Sequence, residues 1–285
     1  MLPSFIRKAL KSPLTLALRF APIRTRLAFE LKYRYFESLE LNIPLTHGFA
    51  CPVKQLDALY SFNEIFISGE YGNFLERMPF PRRWLDLGCH AGYFSLYLAW
   101  QFAVRGGFGE YAGLLLDADP RAVRQSQQAM ELNRLEDRLR VHWGALGAGG
   151  SKKNFYLRHG MGSSDSSQGD YGIETLVPVV TERELMQALP PPYDLIKLDV
   201  EGAEYDFLRF YPSVCQNAKF ILLEWHAWDG EQGRQAELAK GLLDLGFRQI
   251  AVIRAARRHA IKGAFLDSGI SLYQRDCEAM MLKTA

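Results

Sequence analysis

Trp84-Leu85-Asp86-Leu87-Gly88-Cys89-His90-Ala91-Gly92-Tyr93-Phe94-Ser95-Leu96 is the stretch whose reading decides the fold. Leu85 and Leu87 stand at strand spacing, and the run closes on Asp86-Leu87-Gly88 before an apolar helix begins. Gly88 lets the backbone turn without a Cβ clash, and Gly92 lets the first helical turn press against a ligand or the sheet. The free N–H groups of that helix start face the crevice at the carboxyl ends of the strands, where a carboxylate or phosphate fits. Asp86 offers an acceptor to an ammonium group or an ordered water. A dinucleotide fingerprint needs G-x-G-x-x-G, because its second glycine admits a pyrophosphate. Here Cys89, His90 and Ala91 separate the two glycines, so the spacing argues against an NAD-type Rossmann oxidoreductase.

Working outward, Leu114-Leu115-Leu116-Asp117 reads as a second buried strand ending in an acid. An acid there takes a ribose diol by two hydrogen bonds. The distance from Gly88 is longer than the usual ~20 residues, and the Gly-rich loop from Arg105 to Gly109 accounts for the excess. Asp119 competes for the ribose, but Asp119 before Pro120 reads better as the cap of a helix over Arg121 to Asn133. Arg138 to Ala145 alternates like a strand. Tyr193 to Leu198 gives a fourth strand, followed by Asp199, Glu201 and Glu204. Lys219 to His226 gives a fifth, ending around Glu224. Parallel strands put their carboxyl ends on one rim, so these acids converge on one crevice. The competing reading of Asp199, Glu201 and Glu224 is helix capping and surface charge, and Glu204 reads as a solvated helix face.

The run Asp194-Leu195-Ile196-Lys197-Leu198-Asp199-Val200-Glu201-Gly202-Ala203-Glu204 resembles the D-x-x-K-x-D-V-E-G-x-E signature of the FkbM family of methyltransferases dependent on S-adenosyl-L-methionine (SAM). The D-x-G-x-x-x-G-Y turn from Asp86 to Tyr93 is similar too, as are Asp117 to Pro120, the helix end Leu132-Asn133, the loop Gly162-Ser163-Ser164 and the strand Phe220 to Glu224. The likeness spans roughly Arg82 to Trp228. Cys89-His90 stands where many relatives carry Ala-Asn, and Asp117-Ala118 replaces the usual Glu-Pro. The resemblance implies a class I SAM-methyltransferase fold: a Rossmann-like, seven-stranded, mostly parallel α/β sheet with helices on both faces and an antiparallel last strand. It implies a SAM site at Asp86, Gly88, His90, Gly92, Tyr93, Asp117, Ala118, Gly144, Ala145 and Asp199. It also implies O-methylation of a hydroxyl, on a sugar, a glycan or another small molecule.

A neutral alcohol is a weak nucleophile, so its methylation needs a base or a metal ion. Asp199 and Glu224 are the candidates, with Glu201 and His226 beside them. An Asp with its ordinary pKa near ~3.9 is a weak base unless desolvated. A carboxylate pair would alternatively hold a divalent cation such as Mg. His226 is a further base candidate by chemistry, but a lone His beside two Trp is more often packing. A catalytically silent SAM-fold binding protein is the remaining alternative, and the series Asp86, Asp117, Asp199 and Glu224 counts against it.

At 285 residues the chain accommodates one α/β domain, placed at residues 76–285, and a mainly helical extension over residues 1–75. A net charge of +2 without a Lys/Arg patch interleaved with aromatics gives no reason to expect nucleic acid as a partner. Cys51, Cys89, Cys215 and Cys277 lie far apart and form no C-x-x-C pair, which argues against zinc and against a disulfide scaffold and suits a reducing cytoplasm. Residues 1–45 differ in carrying eight Lys/Arg against three Glu, interleaved with Phe5, Leu10, Leu14, Leu18 and Phe20. Pro13 and Arg19 break the apolar run, which argues against a signal peptide. The segment reads as two amphipathic helices packing on the catalytic domain or on a second subunit of a homo-oligomer. The alternative is a basic helix making peripheral contact with an anionic membrane.

Between the third and fourth core strands, residues 154–158 and 176–180 are expected to pair as an antiparallel ribbon, with Pro178 at an edge. Residues 160–169 form its polar tip. Thr181-Glu182-Arg183-Glu184 is a capping box. Asp229 with Gln232 caps a later helix that Gly246 ends, and two strands follow over 247–254 and 269–275.

Overall fold

The computed structural model describes residues 20–35, 42–107, 109–148, 151–157, 173–228, 233–261 and 264–276. The chain enters through helix α1 (Ala21–Arg34), a short hairpin of β1 (Asn42–Pro44) and β2 (Ala50–Pro52), and helix α2 (Leu56–Phe62). A π turn (Asn63–Ile67) and a 3-10 turn (Gly72–Glu76) complete this N-terminal layer, so the extension contains a β hairpin as well as helices. Then come β3 (Arg83–Leu87), α3 (Tyr93–Val104), β4 (Ala112–Asp117), α4 (Pro120–Leu132) and β5 (Leu139–Trp143). The ribbon pairs β6 (Lys152–Leu157) with β7 (Ile173–Pro178), antiparallel as expected. After α5 (Glu182–Ala188) follow β8 (Tyr193–Leu198), α6 (Glu204–Phe210), α7 (Pro212–Gln216), β9 (Ala218–Trp228), α8 (Arg234–Asp244), β10 (Phe247–Ile261) and β11 (Ala264–Arg275).

One seven-stranded sheet carries the order β10-β11-β9-β8-β3-β4-β5. All neighbours are parallel except β11, which runs antiparallel to both β9 and β10. The chain moves outward from β3 to β5 on one side and from β8 to β9 on the other. The order therefore reverses between β3 and β8, and the crevice at such a point is where open α/β sheets bind ligands. This is the class I SAM-methyltransferase architecture.

The strands read as unbroken apolar runs because both sheet faces are covered. Leu85, Leu87, Leu114, Leu116, Ile196 and Leu198 face one core with α5 to α8, and Trp84, Leu115 and Leu195 face the other. On that second side α3 is buried nearly all round, from Tyr93 through Ala99. A helix apolar on every side needs cover beyond the sheet. The N-terminal layer provides it: Phe62 and Phe66 meet Tyr93, Phe66 meets Tyr97, and Tyr71 and Phe74 meet Phe94.

Local chemistry fixes the element ends. Asp119 caps α4 by accepting from Arg121 N, with Pro120 at the first position. Thr181 and Glu184 form the expected capping box at α5. Gly246, at φ +86°, follows the end of α8. The expected cap at Asp229 and Gln232, the ribbon tip at 160–169 with Gly162-Ser163-Ser164, the segment before Phe20 and Cys277 lie outside the described residues. Cys51, Cys89 and Cys215 are free and buried. No helix among the described residues is long and apolar enough to cross a membrane.

Candidate active site

The turn after β3 is bound to its neighbours by main chain. Gly88 N and Cys89 N donate to Leu116 O, and Asp199 N donates to Leu87 O. Gly88 sits at φ +76°, and a Cβ there would come within 1.6 Å of Asp199 O. Glycine is thus dictated at this position by the approach of the β8 terminus. Gly92, at φ +74°, faces Ser126 of α4 and Leu115 of β4, so its small size serves helix and sheet packing. Tyr93 lies beneath the turn and donates its hydroxyl to Pro52 O at 2.8 Å.

Asp86 is fully buried. Its carboxylate accepts from Ser95 Oγ at 2.8 Å and lies 3.7 Å from Lys197 Nζ. The ammonium that Asp86 was expected to meet is therefore supplied within the chain. Lys197, two residues before Asp199 and on the same strand face, donates to Gly88 O and to Asp199 Oδ2, each at 2.9 Å. Burial opposes its charge, but Asp199 and Asp86 outweigh burial and push its pKa above the ordinary value. Asp199 is held below the ordinary carboxylate value: burial works against ionisation, and Lys197 and then His226 overcome it.

Asp117 ends β4 on the same rim. Its Oδ2 accepts from His90 N and its Oδ1 from Asp119 N, both at 2.8 Å. One lone pair on each oxygen remains for a diol. Ala118 follows, and the half-exposed Trp143 donates its indole N–H to Ala118 O at 3.0 Å. Gly144 N donates to Asp117 O, and a Cβ on Gly144 would strike Val180. Ala145 is buried and bonded to Pro178 and Val180, which places it behind the rim.

β9 runs on to Trp228, past the expected end near Glu224. Just beyond its last pair with β8, Leu198 with Leu223, the residues Asp199, Glu224 and His226 each offer a ligand atom within 4.8 Å of the others. Glu224 accepts from Tyr71 OH at 3.0 Å and forms a tight ion pair with Arg254, whose Nε lies 3.0 Å from Glu70. Burial, then the charge of Asp199, raise Glu224 to about 7 against the pull of His226 and Arg254. Burial likewise raises Glu201 to about 7. His226 is buried, its Nδ1 is 3.1 Å from Glu204 Oε1, and its Nε2 faces Glu201 and Glu224 at 3.8 and 3.9 Å. Burial disfavours the charged ring, but Glu201 and Glu204 lift its pKa well above 6.5. His226 thus belongs to the cluster.

Glu204 corrects the reading of a solvated helix face. It is fully buried, and its Oε1 accepts from Gly202 N at 3.2 Å and from Val200 N at 3.4 Å. Glu201 at φ +51° and Gly202 at φ +109° curl the loop so that the start of α6 points back into the site. Sequence reasoning missed Asp57, Ser61, Glu70, Tyr71 and Arg254. The first two hold His90, with Ser61 Oγ 3.1 Å from Nδ1 and Asp57 Oδ2 3.4 Å from Nε2. The available signals were polar residues set among the aromatics of residues 57–71 and an arginine inside the apolar alternation of β10.

The donor set fits a sulfonium cofactor. Around the crevice stand Asp86, Asp199, Glu201, Glu204, Glu224 and Glu70, against Lys197, His226, Arg254 and the exposed Arg257 among the described residues. Acids outnumber cations, and two of those acids sit near 7, so a bound cation is favoured.

The description "Methyltransferase FkbM domain" matches residues 86–249, more than half of the chain. A search of the curated proteins found no match. Among solved structures the chain is similar to an O-methyltransferase candidate from Klebsiella pneumoniae, at 13% identity and TM-score 0.44, covering 94% of this chain and 97% of that one. It is also similar to precorrin 8w decarboxylase from Methanobacterium thermoautotrophicum, at 15% identity and TM-score 0.43, over 74% of this chain and 90% of that one. The family match coincides with the turn, the strand-end acids and the reversal of strand order described above, and the chain belongs to the FkbM methyltransferase family.

Proposed function

We propose that this chain is an O-methyltransferase that moves the methyl group of SAM to a hydroxyl of a small-molecule, sugar or glycan acceptor in the cytoplasm. The observation that carries the reading is the convergence of Asp199, Glu224 and His226 on the rim beside the Gly88–Gly92 turn. SAM, when bound, supplies a methyl group already activated for in-line displacement, so the chain's task is alignment, exclusion of water and removal of one proton.

In this reading the turn holds the amino-acid end, Asp117 the ribose diol, and Ala118 and Trp143 border the adenine. Glu224 takes the hydroxyl proton. Within the carboxylate pair it suits that step better than Asp199, because its pKa near 7 leaves it basic at neutral pH, whereas Lys197 keeps Asp199 a weak base. Tyr71 and Arg254 orient the Glu224 carboxylate. His226, charged and held by Glu204, orients Glu201 and Glu224 in turn.

A second reading has one observation in its favour. Glu204 binds His226 Nδ1 and leaves Nε2 pointing toward Glu224, the outer carboxylate arrangement that prepares a histidine for a metal. Asp199, Glu224 and His226 would then hold a divalent cation that lowers the pKa of the acceptor hydroxyl.

Methyl transfer from labelled SAM to a panel of hydroxyl acceptors tests the function, and Glu224→Gln tests the role. The variant should bind SAM within a few-fold of wild type and lose the ~10²–10⁴ in turnover expected of a general base. The wild-type profile of kcat/KM should rise with pH through about 7, because Glu224 must lose its proton to act. Full activity in EDTA supports the base, and loss in EDTA restored by Mg supports the metal. Wild-type turnover in Glu224→Gln would refute both roles for this carboxylate.

A further inference from the structure

The outward face of α1 is apolar where a solvent-facing helix of this kind is ordinarily polar. Phe20, Ile23, Leu27 and Leu31 follow one another at spacings of three, four and four residues and so share one stripe. They are 61, 45, 38 and 40% exposed. The opposite side of α1 is spent on the protein: Ala28 and Phe29 are buried, Phe29 stacks on Phe62, and Thr25 donates to Pro44 O at 2.7 Å. The helix is therefore anchored with its apolar stripe turned away from the core.

Charge says what kind of surface this stripe meets. Eight of the 34 Lys/Arg but only one of the 32 Asp/Glu lie in residues 1–35, so that segment carries +7 and the rest of the chain −5. Arg24, Arg26 and Arg34 belong to α1 itself, and Arg7, Lys8, Lys11 and Arg19 precede it. An apolar stripe flanked by cations at one end of an otherwise acidic molecule is complementary to a bilayer with anionic headgroups. A second copy of the chain would bring an equally positive segment against the first, which the charge disfavours. We infer that α1 docks this enzyme on an anionic membrane surface. Neither signal suffices alone: apolar area supplies insertion, and the cations supply attraction and lipid selectivity.

The full-length protein is sedimented with vesicles of phosphatidylcholine and with vesicles of an equal phosphatidylcholine–phosphatidylglycerol mixture. The expected result is at least tenfold more protein bound to the anionic vesicles, declining as salt rises. Leu27→Glu with Leu31→Glu should reduce binding at least tenfold at low salt, and Arg26→Gln with Arg34→Gln, both exposed, should erase the preference for the anionic lipid. These side chains point away from the core and the crevice, so circular dichroism and SAM affinity should match wild type in both variants. Equal binding to the two vesicle types, no binding, or undiminished binding of the Leu27→Glu/Leu31→Glu protein would overturn the inference. So would light scattering that finds a dimer in wild type and a monomer in that variant, since the stripe would then be covered by a second copy.

Discussion

Asp117 and Asp119 stand two residues apart and do different work. Asp119 is spent on α4, accepting from Arg121 N at 2.8 Å and pairing with the Arg121 guanidinium at 2.6 Å. Asp117 receives two backbone N–H groups and keeps a lone pair on each oxygen at the rim. Asp117→Ala should therefore weaken SAM binding at least tenfold by isothermal titration, since each charge-assisted hydrogen bond is worth about 1.5–3 kcal/mol. Asp119→Ala should instead cost about 1 kcal/mol of stability, the usual cost of losing a helix cap, and leave SAM affinity within a few-fold. A reversal of the two phenotypes would move the ribose site to Asp119. The sequence singled out Asp119 as the cap because Pro120 marks the first helical position, whereas the ribose role of Asp117 remains a proposal that these two variants test. Glu204 was not legible in this way. An acid at the start of a helix reads as solvated unless the backbone before it folds back, and only the left-handed conformations at Glu201 and Gly202 reveal that it does.

At the scale of elements, β8 ties the site together through Lys197. Its side chain bridges the turn after β3 and the end of its own strand, and it is the cation nearest two buried or half-buried carboxylates. Removing one partner of a buried ion pair leaves an uncompensated charge and typically costs about 3–5 kcal/mol. Lys197→Met should accordingly lower the unfolding free energy read from urea titration by that amount at pH 7, whereas loss of a lysine that only decorated the strand would cost less than about 1 kcal/mol. Acid should partly relieve the loss. In the variant Asp86 and Asp199 stay buried without their cation, and protonation below their shifted pKa values removes the unpaired charge. The elements themselves were largely legible. Apolar runs such as Leu114 to Leu116 and Ile221 to Leu223 can only be strands covered on both faces, and Thr181 to Glu184 announces its helix. The hairpin of β10 and β11 was legible only in part. Residues 255–260 are all exposed, three alanines beside Arg257, Arg258 and His259, so they lack the alternation that marks a half-buried strand, and pairing with β11 extends them.

Across the whole molecule, the N-terminal layer and the catalytic sheet share one apolar cluster, from Phe29 and Phe62 through Tyr93 and Phe94 to Leu195 and Ile270. The layer also reaches the chemistry, through Tyr71 on Glu224 and through Asp57 and Ser61 on His90. None of this was readable from motifs, because the contacts join segments that carry no shared spacing. The His90–Asp57 pair gives this closure a pH dependence. Burial lowers the affinity of the His90 ring for its proton, but the hydrogen bond and charge of Asp57 outweigh it and raise the pKa above 6.5. Burial would raise Asp57, yet His90 and the N–H groups around it hold the carboxyl below 3.8. A raised histidine contributes stability that is fully present below 6.5 and is lost as pH climbs through its folded value. A lowered aspartate contributes stability that is present above 3.8 and is lost as pH falls through its folded value. The pair is thus fully engaged between about pH 4 and 6.5. Part of the clasp between the layer and the cofactor turn should loosen in alkali. The unfolding free energy of wild type in urea should decline from pH 6 to pH 9, with about 1 kcal/mol of the decline from this pair, the scale of a partly exposed ion pair. His90→Asn keeps a polar group of similar reach and cannot take the charge, so it should shrink that decline by about 1 kcal/mol, leaving the part that His226, Glu201 and Glu224 contribute, and match wild type at pH 9. A decline of equal size in His90→Asn would assign the pH dependence to another group and leave the His90–Asp57 contact as packing alone.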